Sequence, residues 1–287
     1  MTKFFSKNNN LIPSIGLGTW DLRGKAGEKV IEEAIDVGYR HIDTAQMYEN
    51  EKEVGNAIKN SKISREDIFV TTKIYTLIVK NEGIEDSFSE SLVNLQTEYI
   101  DLLLIHFPVF TTNLKDMLEI LFKIKESKKV KNVGISNFNH NLINDCITLG
   151  FNDIFCNQVE YHPYLDQSKL INILKKFDII PVAYSPLAKG KLLNDKLIIE
   201  FSKKYLKTPS QIVLRWLNQK GWVVIPKSAK KERLIENLNI FDFIITDEDM
   251  TQIHNLARNY RAVPSALGTK HQIDLPSKHG PNGLELI

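Results

Sequence analysis

An acid, a phenol, an amine and an imidazole close successive apolar runs of this 287-residue chain. Asp43 and Tyr48 lie in Asp43-Thr44-Ala45-Gln46-Met47-Tyr48, Lys73 in Thr72-Lys73, and His106 in Leu104-Ile105-His106. Residues of these four kinds, if gathered, make a proton-donor site. Singly each has a plainer explanation: Asp43 as a cap, Tyr48 as a packing ring, Lys73 as a surface lysine, His106 as a satisfied core histidine. Their shared placement favours chemistry, because Tyr39 to Ile42, Ile68 to Thr72 and Ile100 to Ile105 are strand-like and each polar residue stands where a strand meets its loop.

The elements that must position them repeat. Asp43, Lys73, His106 and Ser136 recur at steps of about 30 residues, the length of one strand, one crossover helix and two loops. Helical spacing of apolar residues runs over Gly83 to Gln96, Leu114 to Ser127 and Gln167 to Lys176. Further strands are expected at Ile15 to Gly18, Val130 to Ile135, Ile154 to Glu160, Ile179 to Tyr184 and Trp222 to Ile225, giving eight in alternation with helices. That pattern predicts an α/β fold, a (β/α)8 TIM barrel, in which residues at the C-terminal strand ends are read as catalytic.

Composition fits one large core: 43% hydrophobic and 25% charged residues, with no Pro/Gly/Ser-rich linker, so residues 1–287 are expected to form a single domain. The net charge of +2 provides no global field for nucleic acid or membrane. No apolar run is long enough for a membrane span, and the N-terminus lacks a signal-peptide pattern. Residues 1–13 are expected to form a hairpin, Lys3-Phe4-Phe5 against Leu11-Ile12, turning at Asn8-Asn9-Asn10. Cys146 and Cys156 have no Cys-x-x-Cys spacing and suit free thiols in a reducing cytoplasm. The seven histidines show no ligand spacing, so no metal is expected. A monomer acting on a small molecule is the expected state.

Several phrases carry a resemblance. Leu17-Gly18-Thr19-Trp20, Gly38-Tyr39-Arg40-His41-Ile42-Asp43-Thr44-Ala45, Gly134-Ile135-Ser136-Asn137-Phe138, Asn157-Gln158-Val159-Glu160-Tyr161-His162-Pro163, Ala183-Tyr184-Ser185-Pro186-Leu187 and Ile225-Pro226-Lys227-Ser228 occur in family order. Across roughly residues 11 to 258 the chain resembles the aldo-keto reductases, in particular the bacterial aldehyde, 2,5-diketo-gluconate and glyoxal reductase branch. The resemblance implies hydride transfer to a carbonyl carbon while Tyr48 gives a proton to its oxygen. A free phenol, with a pKa near 10, is a reluctant acid. Lys73 would stabilise the phenolate, Asp43 would hold Lys73 charged and aimed, and His106 would donate a hydrogen bond to the carbonyl oxygen.

The resemblance also implies a nicotinamide cofactor site. Gly16-Leu17-Gly18-Thr19-Trp20-Asp21 begins like a dinucleotide-binding turn, yet Asp21 stands at the third glycine position, which disfavours a Rossmann domain. Ser136, Asn137 and Gln158 would bond the carboxamide, Tyr184 would stack on the ring, and Ser185, Pro186 and Leu187 would line the pyrophosphate passage. Thr19, Trp20, Asp43, Ile225, Pro226, Ser228, Glu236 and Asn237 complete the expected contacts. Lys227 and Arg233 could grip a 2′-phosphate, so NADPH is expected in preference to NADH. Trp20, Tyr48, Tyr75, His106 and Phe107 would form the substrate pocket, with Tyr75 and Phe107 where many relatives carry tryptophan.

These features predict NADPH-dependent reduction of aldehydes and activated ketones, of sugar or dicarbonyl type. A non-catalytic NADPH-binding regulatory subunit of the same fold and a Schiff-base aldolase using Lys73 are the rivals; the complete tetrad and the lack of a long N-terminal extension argue against the first. The segment from Asn259 to Ile287, with Pro264, Pro276, Pro281 and Gly268, Gly280, Gly283, is expected to be irregular. The resemblance implies that it folds over the barrel mouth, the alternative being a terminus with no role in the site.

Overall fold

Parallel strands covered on both faces are buried along their whole length, as Phe69–Ile74, Ile100–Ile105 and Cys156–Glu160 are here. The computed structural model describes residues 3–76, 83–108 and 113–263. After an antiparallel hairpin of β1 (Phe4–Lys7) and β2 (Asn10–Pro13), eight parallel strands follow. They are β3 (Leu17–Gly18), β4 (His41–Asp43), β5 (Phe69–Ile74), β6 (Ile100–Ile105), β7 (Val130–Ser136), β8 (Cys156–Glu160), β9 (Ile180–Tyr184) and β10 (Val223–Val224). They pair in chain order, and a parallel bridge from Ile15 to Val224 closes the ring into a (β/α)8 barrel. Gly16 N–H donates to Val224 O (2.9 Å) and Gly18 N–H to Pro226 O (3.1 Å) across that seam. A Cβ on Gly18 would come within 2.9 Å of Ile225 O, so only glycine lets the first and last strands approach this closely.

Around the ring run α1 (Gly24–Val37), α2 (Glu51–Asn60), α3 (Ile84–Asn94), α4 (Leu114–Glu126), α5 (His140–Thr148), α6 (Ser168–Lys176), α7 (Lys196–Lys204), α8 (Pro209–Gln219), α9 (Lys231–Leu238) and α10 (Asp247–His254). The core divides in two. Phe69, Leu102, Leu104, Cys156, Val182 and Val223 fill the barrel with Ile12 from the hairpin, while Ile31, Ile35, Leu118, Ile143 and Trp216 belong to a second cluster that takes in the helices.

The hairpin turns on Asn8 and Asn9, both with positive φ (49° and 66°), as a two-residue turn requires, and Asn10 pairs with Lys7 rather than joining the turn. Lys7 Nζ donates to Ile154 O (2.9 Å) and Asp178 O (2.6 Å), tying the hairpin to the segments that lead into β8 and β9. Both cysteines are free and buried. Among the described residues no helix is long and apolar enough to cross a membrane. Residues 259–263 carry neither helix nor strand, and the expected irregular segment from Pro264 onward lies outside the described residues.

Candidate active site

β4, β5 and β6 end side by side, with Asp43 in register with Thr71 and Lys73 with Leu104, so their terminal side chains must meet. Lys73 Nζ contacts Asp43 Oδ1 (2.5 Å), Thr44 O (2.8 Å) and Tyr48 Oη (3.5 Å). Its three donors are thereby committed. The other carboxylate oxygen of Asp43 accepts from Gln158 Nε2 at 2.6 Å. Tyr48 comes from a 3-10 turn, Gln46–Tyr48, that follows β4, and its ring meets His106 edge-on with centroids 5.7 Å apart and Trp20 at 5.0 Å. His106 stacks on Phe107 at 4.4 Å.

Burial sets the electrostatics. It raises the Tyr48 phenol well above its ordinary value, and the Asp43 charge adds to the effect. It pushes the His106 imidazole well below its ordinary value, helped by the Lys73 ammonium, so the ring is neutral. It also lowers Lys73, which the Asp43 carboxylate opposes. Nδ1 of His106 is buried with no hydrogen-bond partner among the described residues, so nothing there ties the imidazole proton to that nitrogen.

From this cluster a cleft of about 710 Å³ runs across the C-terminal ends of the strands. Ser136, Asn137 and Gln158 form one wall: Ser136 Oγ donates to Gln158 O (2.9 Å) and Asn137 Nδ2 to His106 O (2.8 Å). Tyr184 Oη donates to Asn137 Oδ1 (2.9 Å), which fixes the phenol ring against the same wall. Beyond β9, Ser185, Ala188 and Lys189 all take positive φ (48°, 48° and 51°), a strained turn that carries Ser185, Pro186 and Leu187 into the cleft. Ile225, Pro226, Lys227, Ser228, Arg233 and Asn237 line its far end. Ser228 Oγ accepts from Lys230 N–H (3.1 Å), shaping the entry to α9.

Three further expected residues are held by contacts of their own. Thr19 is buried, with Oγ1 donating to Asp43 O (3.0 Å), and ties β3 to β4. Glu236 accepts from Thr208 Oγ1 (2.6 Å) and binds α9 to the start of α8. Tyr75 stands beside His106 at 6.4 Å, outside the described residues that line the cleft, with its backbone N–H on Gln46 Oε1. Sequence reading missed Met47, Lys189, Gly190, Leu193, Ser210 and Val263, which all line the cleft. Ser210 could have been found from Thr208-Pro209-Ser210-Gln211, a capping box with proline at the first turn, which announces a helix N-terminus.

A model of the aldo/keto reductase family matches residues 14–258. An aldo-keto reductase of Mycolicibacterium smegmatis is 37% identical, the match covering 90% of this chain and 94% of that protein. The aldo-keto reductase family 1 member C23-like protein of Equus caballus is 36% identical over 92% of this chain and 94% of its own. Among solved structures, a protein provisionally described as 2,5-diketo-D-gluconic acid reductase B superposes with a TM-score of 0.89 at 38% identity, covering 93% and 96% of the two chains. The aldose reductase of Schistosoma japonicum superposes at 0.87 with 32% identity, covering 92% and 95%. With the barrel, the buried tetrad and these relatives in agreement, the chain belongs to the aldo/keto reductase family, oxidoreductases that act on small carbonyl compounds and alcohols with a nicotinamide cofactor.

Proposed function

We propose that this protein reduces aldehydes and activated ketones, of sugar or dicarbonyl type, to alcohols with NADPH. The observation that carries the reading is one cleft with Tyr48 and His106 at one end and Lys227 and Arg233 at the other, Lys73 buried behind the phenol. The donor set fits a dinucleotide: polar groups of Ser136, Asn137 and Gln158, an aromatic face at Tyr184, the turn of Ser185, Pro186 and Leu187 after β9, and two cations for a 2′-phosphate. The cofactor, when bound, supplies the hydride.

The protein's own part is positioning and proton supply. Trp20, 47% exposed, and Phe107 form apolar walls that admit a carbonyl by shape. Neutral His106 donates a hydrogen bond to the carbonyl oxygen and orients it towards Tyr48. Tyr48 gives that oxygen its proton, and the phenolate left behind is stabilised by Lys73, whose charge Asp43 maintains. A sugar or dicarbonyl substrate is in keeping with the name of the 2,5-diketo-D-gluconic acid reductase-like neighbour.

The Schiff-base alternative is disfavoured by geometry, because Lys73 has all three donors committed and its side chain is 0% exposed. A cofactor-oxidation assay over short aldehydes, aldoses and dicarbonyls, run with NADPH and with NADH, tests the reading. Turnover with NADPH at a kcat/KM about tenfold or more above that with NADH is expected. Binding of NADPH without turnover of any carbonyl would leave the regulatory subunit. A borohydride-trapped adduct on Lys73 would leave the aldolase.

A further inference from the structure

Glu160 is a carboxylate that the proton-transfer chemistry does not use. It ends β8, is 0% exposed, and collects donors from two distant parts of the chain. His162 Nε2 lies 2.9 Å from Oε1. The backbone N–H of Ala262 donates to Oε1 at 2.5 Å and that of Val263 to Oε2 at 3.4 Å. The Arg261 guanidinium is 3.9 Å from Oε2 and supplies positive charge. An isolated buried carboxylate is costly, so this arrangement holds only while those donors stay in place.

The neighbouring contacts serve the same end. Tyr164 O accepts the N–H of Arg258 (3.1 Å) and of Tyr260 (3.0 Å), and the Arg258 guanidinium sits 3.7 Å above the Tyr164 ring. Gln167 Nε2 donates to Glu160 O (3.0 Å) and braces β8 from behind. Residues 258–263 are therefore stitched to the loop after β8 without forming helix or strand. Their last described member, Val263, lines the same cleft as Trp20, Tyr48 and Phe107. The family match ends at residue 258, short of all three residues 261–263 that reach Glu160.

We propose that Glu160 is a positioning residue for substrate selection: by holding the backbone of Ala262 and Val263 it fixes where Val263 stands in the wall, and so which carbonyl compounds fit. This rests on the reductase reading above. A carboxylate suits the task because it only accepts, and at least three N–H donors converge on it; an amide would turn its own NH2 against them.

Amide hydrogen exchange and steady-state kinetics on the full chain test the proposal together. In the wild-type protein the amides of Ala262 and Val263 should be protected. In Glu160→Gln they should exchange roughly tenfold faster or more. The same variant should change the ratio of KM for a bulky aromatic aldehyde to KM for propanal by about fivefold or more, with kcat for propanal and the cofactor Kd moving less than about twofold. Val263→Ala should shift that KM ratio while leaving exchange at Ala262 as in the wild type. Wild-type amides that exchange at open-loop rates overturn the proposal even if Glu160→Gln fails to fold, as does a Val263→Ala protein with an unchanged ratio. Glu160→Gln with wild-type exchange and KM overturns it too. If the wild type turns over no carbonyl with either cofactor, the reductase reading fails, and the exchange data decide separately whether Glu160 anchors the segment.

Discussion

Tyr48 must keep its proton until an acceptor oxygen arrives and then release it, and its surroundings serve both needs. Burial and the Asp43 charge hold the phenol protonated in the free site, while the Lys73 ammonium, 3.5 Å away, favours the phenolate once negative charge appears. Tyr48→Phe should lower kcat for carbonyl reduction by about 10²- to 10⁴-fold while cofactor affinity, measured by fluorescence titration, holds. Near-wild-type turnover in that variant would remove Tyr48 from the donor role. His106 carries a second expectation. Because burial and Lys73 place its pKa well below 6.5, the imidazole is already neutral at ordinary pH, and kcat/KM should show no His106 break between about pH 6 and 8. A break near 6.5 that disappears in His106→Gln would contradict the neutral-donor role.

At the scale of elements, the far end of the cleft is built where the loop after β10 meets the first turns of α9, and Lys227 and Arg233 both line it. Arg233→Ala should weaken NADPH by roughly 10- to 100-fold, the loss of charge-assisted hydrogen bonds, and leave NADH nearly unaffected. Equal losses for the two cofactors would mean that Arg233 does not read the 2′-phosphate. The barrel strands were legible in the sequence because strand-like runs such as Ile100 to Ile105 recur at steps of about 30 residues, and their ends fell within a few residues of Asp43, Lys73, His106 and Ser136. Short seam strands were less so: β3 and β10 have two residues each, since Ile15 and Ile225 flank the pairing without extending it. Spacing also does not reveal that Glu236 Oε1 accepts from Thr208 Oγ1, a contact that depends on how α8 and α9 pack. Val263 could not be inferred from its neighbours in sequence, because it reaches the cleft through a carboxylate 103 residues earlier.

At the scale of the whole molecule, the barrel interior imposes a pH dependence on stability. His41 begins β4 inside the barrel, with Nε2 3.0 Å from Thr71 Oγ1 and its ring edge-on to Phe69 at 5.1 Å. Burial pulls its pKa from 6.5 down to about 4. The unfolded chain therefore binds the extra proton between these values, so stability is full above about pH 6.5 and falls as the pH drops towards 4. Between pH 7 and pH 5 urea titrations should show a loss about 2 kcal/mol larger for the wild type than for His41→Gln. Equal losses would mean that His41 is not the group being protonated. The seam between Ile15 and Val224 has a consequence in time. Its partners lie about 210 residues apart in sequence, so loop closure comes late in folding. As the chain leaves the ribosome, β3 waits without its second neighbour until β10 has been made. During that interval the unfinished sheet presents open edges at which another nascent chain can add, so slow translation and high expression are hazards to yield.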